Sequence, residues 1–369
     1  MHFYRAIGLM SGTSMDGIDV ALVETDGRAL ANPGPASLYP YDDSERALLR
    51  AAIAQAETLD DRKARPGKMG EAERLITARH AEAVDAFITE HGLERASIGI
   101  VGFHGQTVLH RPEQRLTIQI GDGSALAAAL GLPVAWDMRA ADVAAGGQGA
   151  PLAPAWHRAL VKAARLRGPV LVINLGGVAN VTFVPGGDAD PIAFDTGPAN
   201  ALIDDLMLER TGVALDKNGA AAASGDVDDA ALNQLLGHPY FAAPLPKSLD
   251  RNDFSRAAVA DLSTADAAAT LTAFTARSLA LSLPLLPEAP RLAIACGGGA
   301  RNPTLMAALT AAFPCPVETA ASVGWNGDAI EAQAFAYLAV RVLEGLPLSF
   351  PSTTGAPRPL TGGIVSRPR

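Results

Sequence analysis

The sequence predicts an α/β protein built from two related lobes, on three observations: its length, the alternation of strand and helix patterns, and a glycine-tipped hairpin pattern that occurs twice. At 369 residues the chain is long for one hydrophobic core and short for three. Tyr4 to Met10 reads as a strand, Ser11 to Gly17 as a tight polar turn, and Ile18 to Glu24 as a second strand that stops at Asp26-Gly27. Around Pro169 the pattern begins again, with Val170 to Asn174, the turn Leu175 to Ala179, and Asn180 to Val184. Each hairpin leads into alternating strands and helices, as a duplicated α/β unit would. The expected division is an amino-terminal lobe over residues 1–168 and a carboxy-terminal lobe over 169–369, with the last helix able to pack back on the first lobe.

After the first hairpin, Gly70 to Gly92 carries Leu75, Ala78, Val84, Phe87 and Ile88 at helical spacing, an amphipathic helix closed by glycine. Ile98 to Phe103 and Leu116 to Ile120 read as strands, Pro133 to Trp136 as a further apolar run, and a helix is expected after Pro151. The second half adds a helix from about Pro198, a polar loop over Pro244 to Phe254, a long helix through Ala265 to Leu283 and a strand at Leu292 to Ala295. Asn302 and Pro303 fit an N-cap and a first helical position. A last helix is expected from Asp328 to Leu343, where Asp328 and Glu331 have capping-box spacing. The tail beyond Pro351, rich in Pro, Gly and Thr, is expected to lie over the surface.

The formal charge of -9, from 30 Lys and Arg against 39 Asp and Glu, argues against a partner held by phosphate neutralisation, so no nucleic acid is expected. A small anion remains compatible, because backbone amides at glycine turns hold phosphate without a basic surface. The only cysteines, Cys296 and Cys315, are too few to staple the chain and suit a reducing compartment. MHFYRAIGLMSG lacks a basic leader with a signal-length apolar stretch, and no run of roughly 18 apolar residues follows, so no membrane is expected and the cytoplasm is. Zinc-ligand spacing, a GxSxG elbow, GxGxxG after a strand and the P-loop pattern are all absent from the sequence.

Four turns suit phosphate chemistry. In GLMSGTSMDGID, Gly12 and Gly17 allow close backbone approach, Thr13 and Ser14 supply hydroxyl donors, and Asp16 or Asp19 can hold a magnesium ion directly or through water. The same residues also suit an ordinary hairpin turn capped by Asp and Ser. NLGGVAN, from Asn174 to Asn180, sets Gly176 and Gly177 at the equivalent point of the second lobe, where a bulge alone would also require glycine. ACGGGARNP runs a strand through Gly297, Gly298 and Gly299, against which a flat base or ribose can lie, and it is equally a helix entry. In FDTGPAN, Asp195 is expected to end a strand just before a helix. A carboxylate beside phosphate turns can take a proton from water or a hydroxyl, or can merely satisfy its own turn.

Three polar clusters, FHGQTVLH, QIGD and WDMRAADVAAGGQGAP, read as substrate loops. His104, Gln106, Asp137, Arg139, Asp142 and Gln148 offer donors and acceptors for sugar hydroxyls and for a carboxylate, with arginine the bidentate partner. Each is also an ordinary polar loop residue.

Taken in order, GLMSGTSMDGIDVAL, FHGQTVLHRP, TIQIGD, DMRAADVAAGGQGAPL, NLGGVANVT, FDTGPAN, Lys247-Ser248, CGGGARN and EAQAFAYLA resemble the anhydro-N-acetylmuramic acid kinases over nearly the whole chain, GTSMDG and AAGGQGAPL most specifically. The resemblance implies a two-lobed, actin-like ATPase (ribonuclease H-like) fold with ATP in the interlobe cleft, Mg2+ as the accompanying ion and a homodimer. It implies that 1,6-anhydro-N-acetylmuramic acid is opened by water and phosphorylated to N-acetylmuramic acid 6-phosphate, in cell-wall recycling. Asp195 matches the family's catalytic carboxylate. Gly12, Thr13, Ser14, Met15, Asp16, Gly17, Ile18 and Asp19 match the ATP-binding segment, with Asp16 a metal candidate through water. Gly176, Gly177 and Asn180 are assigned to phosphate, Gly297 to Gly299 to the nucleoside region, and His104, Gln106, Arg139, Asp142, Gln148 and Glu331 to the sugar. Ala199 stands where the family often has glycine, and Leu249-Asp250 replace a frequent Thr-Gly pair. The competing expectations are a kinase of this fold acting on an intact amino sugar, and a chaperone-like ATPase without a sugar acceptor.

Overall fold

The computed structural model describes residues 3–12, 14–249 and 253–368. The chain forms two compact units: Met1–Arg165 together with Ala329–Arg369, and Leu166–Asp328. Residues 329–369, which chain order placed in the second lobe, thus pack in the first. The strands in chain order are β1 (Tyr4–Ser11), β2 (Gly17–Thr25), β3 (Ala31–Pro40), β4 (Ile98–Arg111), β5 (Leu116–Ile120), β6 (Val134–Trp136), β7 (Val170–Leu175), β8 (Val178–Val184), β9 (Ile192–Pro198), β10 (Leu292–Cys296), β11 (Val317–Thr319) and β12 (Ile364–Ser366).

The first unit holds a seven-stranded sheet in the order β12-β6-β4-β1-β2-β3, with β5 paired to β4. The second holds a five-stranded sheet in the order β11-β10-β7-β8-β9. In the first, β1, β2 and β3 run as an antiparallel meander, and β4 and β6 join parallel to β1. In the second, β7, β8 and β9 form the meander, and β10 and β11 join in parallel. The same order, third-second-first-fourth-fifth, is therefore built twice. That is the ribonuclease H-like sheet of the actin-like ATPases, α/β with two lobes.

Several elements differ from the reading of the sequence. β3 was not anticipated, since ANPGPASLYP carries three prolines; it forms at the sheet edge, where a missing N–H removes no ladder bond. FHGQTVLH is not a loop but the continuation of β4, which pairs with β1 as far as Gln106 and with β5 from there on. Gly105 makes the switch, with φ of 71° and a virtual Cβ 2.6 Å from the Ile120 carbonyl. The tail does not simply cover the surface: Thr353 and Thr354 are buried, and Ile364–Ser366 adds a strand beside β6. Asp328 pairs with Arg301 at 2.5 Å instead of capping a helix, and the last helix, Ile330–Leu343, starts without a side-chain cap. Asn302 does cap its helix, accepting from the Thr304 and Leu305 amides.

The helix Ile330–Leu343 lies directly on the first sheet. A Cβ on Gly8 of β1 would stand 1.8 Å from the Ala332 carbonyl oxygen, and one on Gly102 of β4 would stand 2.0 Å from that of Phe335. Ala332, Ala336 and Ala339 supply the matching small side chains. Replacing Gly8 with alanine forces backbone apart in a core that has no slack, so Gly8→Ala is expected to destabilise the first unit by about 3 kcal/mol or more. Urea unfolding followed by circular dichroism measures this directly.

Candidate active site

In the second unit, a polar row crosses the sheet in register. Asp195 on β9 is opposite Asn180 on β8, Asn180 is opposite Asn174 on β7, and Asn174 is opposite Cys296 at the end of β10. The row lies at the carboxyl ends of β7 and β10, the end at which open α/β sheets bind ligands. Gly176 and Gly177 make the turn that follows β7, and Gly297 to Gly299 follow β10. Gly297 has φ of 77° and a virtual Cβ 2.5 Å from the Asn174 side-chain oxygen. A Cβ on Gly299 would reach 2.7 Å from that of Leu175. Only glycine brings the two turns this close, so Gly176, Gly177, Asn180, Asp195 and the triple glycine form one cluster. Gly298, open on its outer side, leaves backbone against which a planar group can lie.

The helix Asn200–Thr211 locks the first of these turns. The Asn200 amide and side-chain Nδ2 donate to the Gly176 carbonyl at 3.0 and 2.8 Å, and the Ala199 and Ala201 amides donate to Gly177 at 2.9 and 3.2 Å. The first N–H groups of this helix start are thus turned to the turn carbonyls. Ala199 has φ of -118°, a value any L-residue adopts, so alanine in place of the family's glycine creates no left-handed strain.

Asp195 does not end its strand; β9 continues to Pro198, and the register shifts beside Asp195. Its Oδ2 accepts the Leu249 amide at 2.8 Å. Burial raises the carboxyl to about 6, partly offset by that amide bond. A carboxylate held near neutrality is suited to accept a proton. Tyr240, whose hydroxyl donates to the Asp195 carbonyl at 2.6 Å, was not singled out from the sequence. Nothing in HPYFAAPLPKS marks a tyrosine that folds back onto a strand more than forty residues earlier.

In the first unit, the β1–β2 turn presents Gly12, Ser14 and Asp16 at an open tip, while Thr13 lies outside the described residues. Met15 has φ of 57° and its amide donates to the Gly12 carbonyl at 3.2 Å. Gly17 is required because a Cβ would stand 2.5 Å from the Tyr39 carbonyl oxygen. Ile18, included in the ATP-binding segment, is a core residue with no exposure, and Asp19 is half-buried opposite Met10.

Several of the expected sugar ligands have bracing contacts within the protein. Gln106 is buried, accepts from the Ser11 hydroxyl at 2.6 Å and donates to the Gly12 carbonyl at 3.1 Å. Asp142 is buried and accepts from the Gly149 amide at 2.6 Å, the Thr354 hydroxyl at 2.7 Å and the Ser349 hydroxyl. Their side chains meet protein partners, because both stand on elements packed against neighbours and not in open loops. Gln148 is half-buried and its amide donates to the Thr354 carbonyl at 2.7 Å. Glu331, at the first turn of its helix, attracts the Arg139 guanidinium, and desolvation raises its carboxyl above the usual range while Arg139 opposes the rise.

Arg139 and His104 meet at the centre of this network. Arg139 donates to the His104 Nε2 at 3.1 Å and to the Gly149 carbonyl at 2.9 Å. Since arginine cannot accept, His104 carries its proton on Nδ1, which donates to the Ser11 carbonyl at 3.2 Å. An unbroken chain therefore joins Thr354, Asp142, Gly149, Arg139, His104, Ser11, Gln106 and Gly12. Beside it lies a small recess, with room for about one water, lined by Phe103 to Gly105, Gln119 to Gly121, Trp136 and Asp137. All three sequence clusters read as substrate loops contribute to that recess. Trp136 adds an aromatic face that residue type alone did not mark. Among the described residues no group of three His, Cys, Asp or Glu could hold a metal ion.

Burial holds His104 down to about 3, and His80 and His157 in the same unit down to about 4. Each therefore binds a proton more readily when unfolded, near 6.5. The unfolded chain holds more protons between about pH 6.5 and those lower values, so stability is expected to fall as pH drops through this window. Thermal melts from pH 7.5 to 4.5 should show a steadily declining Tm.

A duplicated ribonuclease H-like sheet, a glycine turn after the first strand of each copy, and a carboxylate raised towards neutrality beside one of them define a phosphotransferase of the actin-like class. The family model for anhydro-N-acetylmuramic acid kinase matches residues 4–367. The chain belongs to that family. It is 57% identical over 364 residues to the anhydro-N-acetylmuramic acid kinase of Rhodopseudomonas palustris, covering 98% of this chain and 99% of that one. It is 58% identical over 369 residues to the enzyme of the same name from Azorhizobium caulinodans, covering 99% of each. As a kinase of this fold it uses ATP. No helix among the described residues is long and apolar enough to cross a membrane.

Proposed function

We propose that this protein opens 1,6-anhydro-N-acetylmuramic acid with water and phosphorylates the released oxygen from ATP, yielding N-acetylmuramic acid 6-phosphate and ADP in the recycling of cell-wall sugar. The observation that carries the mechanism is Asp195: one carboxylate oxygen is held by the Leu249 amide, and burial keeps its proton affinity near neutral. Asp195 takes a proton from water, whose oxygen bonds to the anomeric carbon. The bond from that carbon to the bridge oxygen breaks, and its electron pair stays on the bridge oxygen, which remains attached to the sixth carbon. That oxygen attacks the γ-phosphorus, and the β–γ bond breaks with its electrons leaving on ADP. Water and the anhydro bridge are consumed together, and one proton resides on Asp195 until it passes to solvent.

The glycine turns suit phosphate oxygens, because Gly12 and Gly298 are open and Gly297 and Gly299 pack too closely for side chains. Arg139 carries the positive charge that suits the lactyl carboxylate, and His104, neutral and oriented by the Ser11 carbonyl, keeps that guanidinium in place. Mg2+ is the ion that fits. It usually keeps several waters, so the exposed Asp16 would hold it through water, there being no cluster of three His, Cys, Asp or Glu among the described residues. When bound it neutralises charge on the phosphates. A homodimer and a cytoplasmic location complete the proposal.

Asp195→Asn should lower kcat by about 10³-fold while the protein stays folded. Mass analysis of product made in oxygen-18 water separates the alternatives: heavy oxygen at the anomeric hydroxyl of a 6-phosphate supports coupled hydrolysis and transfer. Phosphorylation of an intact amino sugar without incorporation, or ATP hydrolysis without any sugar, would overturn it. In wild type, the acid side of the kcat/KM profile should fall as pH drops through about 6, because protonation of Asp195 removes the base.

A further inference from the structure

Asp195 lies on an edge strand, and a loop running from His238 to Leu249 holds it at three points. The Tyr240 hydroxyl donates to the Asp195 carbonyl at 2.6 Å, the Asp195 amide donates to the Lys247 carbonyl at 3.2 Å, and the Leu249 amide donates to Oδ2 at 2.8 Å. On an open edge these main-chain groups would bond to water and the strand would be loose at that residue. Here both are taken by one loop, which also supplies the bond to the side chain.

The loop is itself braced. Lys247 Nζ donates to the Tyr240 carbonyl at 3.2 Å and stands 4.6 Å from the centre of the Tyr240 ring. Phe241 packs at 5.6 Å from Phe254 and 5.9 Å from Phe274 of the helix Thr264–Ala280. Oδ1 of Asp195 accepts no hydrogen bond among the described residues, so one carboxylate oxygen is tied and the other is available.

We propose that Tyr240 is a positioning residue for catalysis: by anchoring the Asp195 backbone to the loop that carries the Leu249 amide, it keeps Oδ2 occupied and presents Oδ1 to the attacking water. This rests on Asp195 being the base. Tyr240 touches neither substrate nor phosphate in this role. It acts through the geometry of the carboxylate, where small displacements reduce the rate of proton transfer steeply.

The test is Tyr240→Phe, which keeps the ring, its aromatic packing and the face under Lys247 while deleting the hydroxyl. The expected result is a fall in kcat of roughly ten-fold with the KM for ATP and for the anhydro sugar changed by less than about two-fold. The acid side of the kcat/KM profile should also move up by about half a pH unit, because a loosened Leu249 amide no longer favours the ionised carboxylate. Among the described residues, His238, Tyr240, Lys247 and Asp253 are the other titratable groups at this loop, and the substitution leaves all but the tyrosine hydroxyl in place. A lower Tm with kcat and the acid side unchanged would mean a purely structural tyrosine and overturn the proposal. Asp195→Asn is measured in parallel. If that variant turns over normally, the base assignment fails and the role of Tyr240 with it. If it is inactive while Tyr240→Phe behaves as wild type, the positioning role alone fails.

Discussion

The first unit depends on the approach of the helix Ile330–Leu343 to β1 and β4. Carbonyl oxygens of that helix come so near Gly8 and Gly102 that no side chain fits between them. The helix is almost wholly buried and fills the space left by those two glycines with alanine and other compact contacts. β1 leads into the glycine hairpin, and β4 leads into His104 and Gln106. A segment more than two hundred residues away in sequence therefore sets the plane from which these groups project. The rest of the carboxy-terminal tail continues the same work, since Ser349 and Thr354 bond to Asp142 and the last strand completes the sheet edge at β6.

The two copies of the sheet use their glycine turns differently. In the first unit the turn is open at its tip and held from behind, by Gln106 on the Gly12 carbonyl and by His104 on that of Ser11. In the second the turn is gripped directly by the start of the next helix, through Asn200 and its neighbours. Both arrangements satisfy turn carbonyls with protein donors. In each the named turn carbonyls are held by protein donors without a ligand. Preorganisation of this kind suits phosphoryl transfer, where the protein contributes positioning and charge more than covalent chemistry.

The carboxylate of Asp195, the proposed base, shows how the sheet edge is put to use. β9 is the outermost strand of its sheet, so Asp195 can be reached from the side, and the loop carrying Tyr240, Lys247 and Leu249 wraps that side. The same enclosure explains the raised proton affinity, because burial removes water from the carboxyl while one hydrogen bond, from the Leu249 amide, is returned to it among the described residues. Family membership assigns the substrate class, and the local geometry accounts for how an aspartate can act as a base near neutral pH.

By itself the sequence determined the period of the elements, the duplication and the glycine turns, and it marked the aspartate proposed as the base. These are local properties: alternation along strands, helical spacing in Met69–Glu90, capping at Asn302, and turns that only glycine can make. Only the tertiary structure decided that the carboxy-terminal helix belongs to the first unit, that a proline-rich segment forms an edge strand, and that Gln106 and Asp142 brace the fold while Arg139 and His104 hold each other. It also decided that Tyr240 reaches Asp195. Each of these outcomes depends on a partner distant in the chain. Residue type states what a side chain can bond to, whereas packing alone selects which of the available partners it meets.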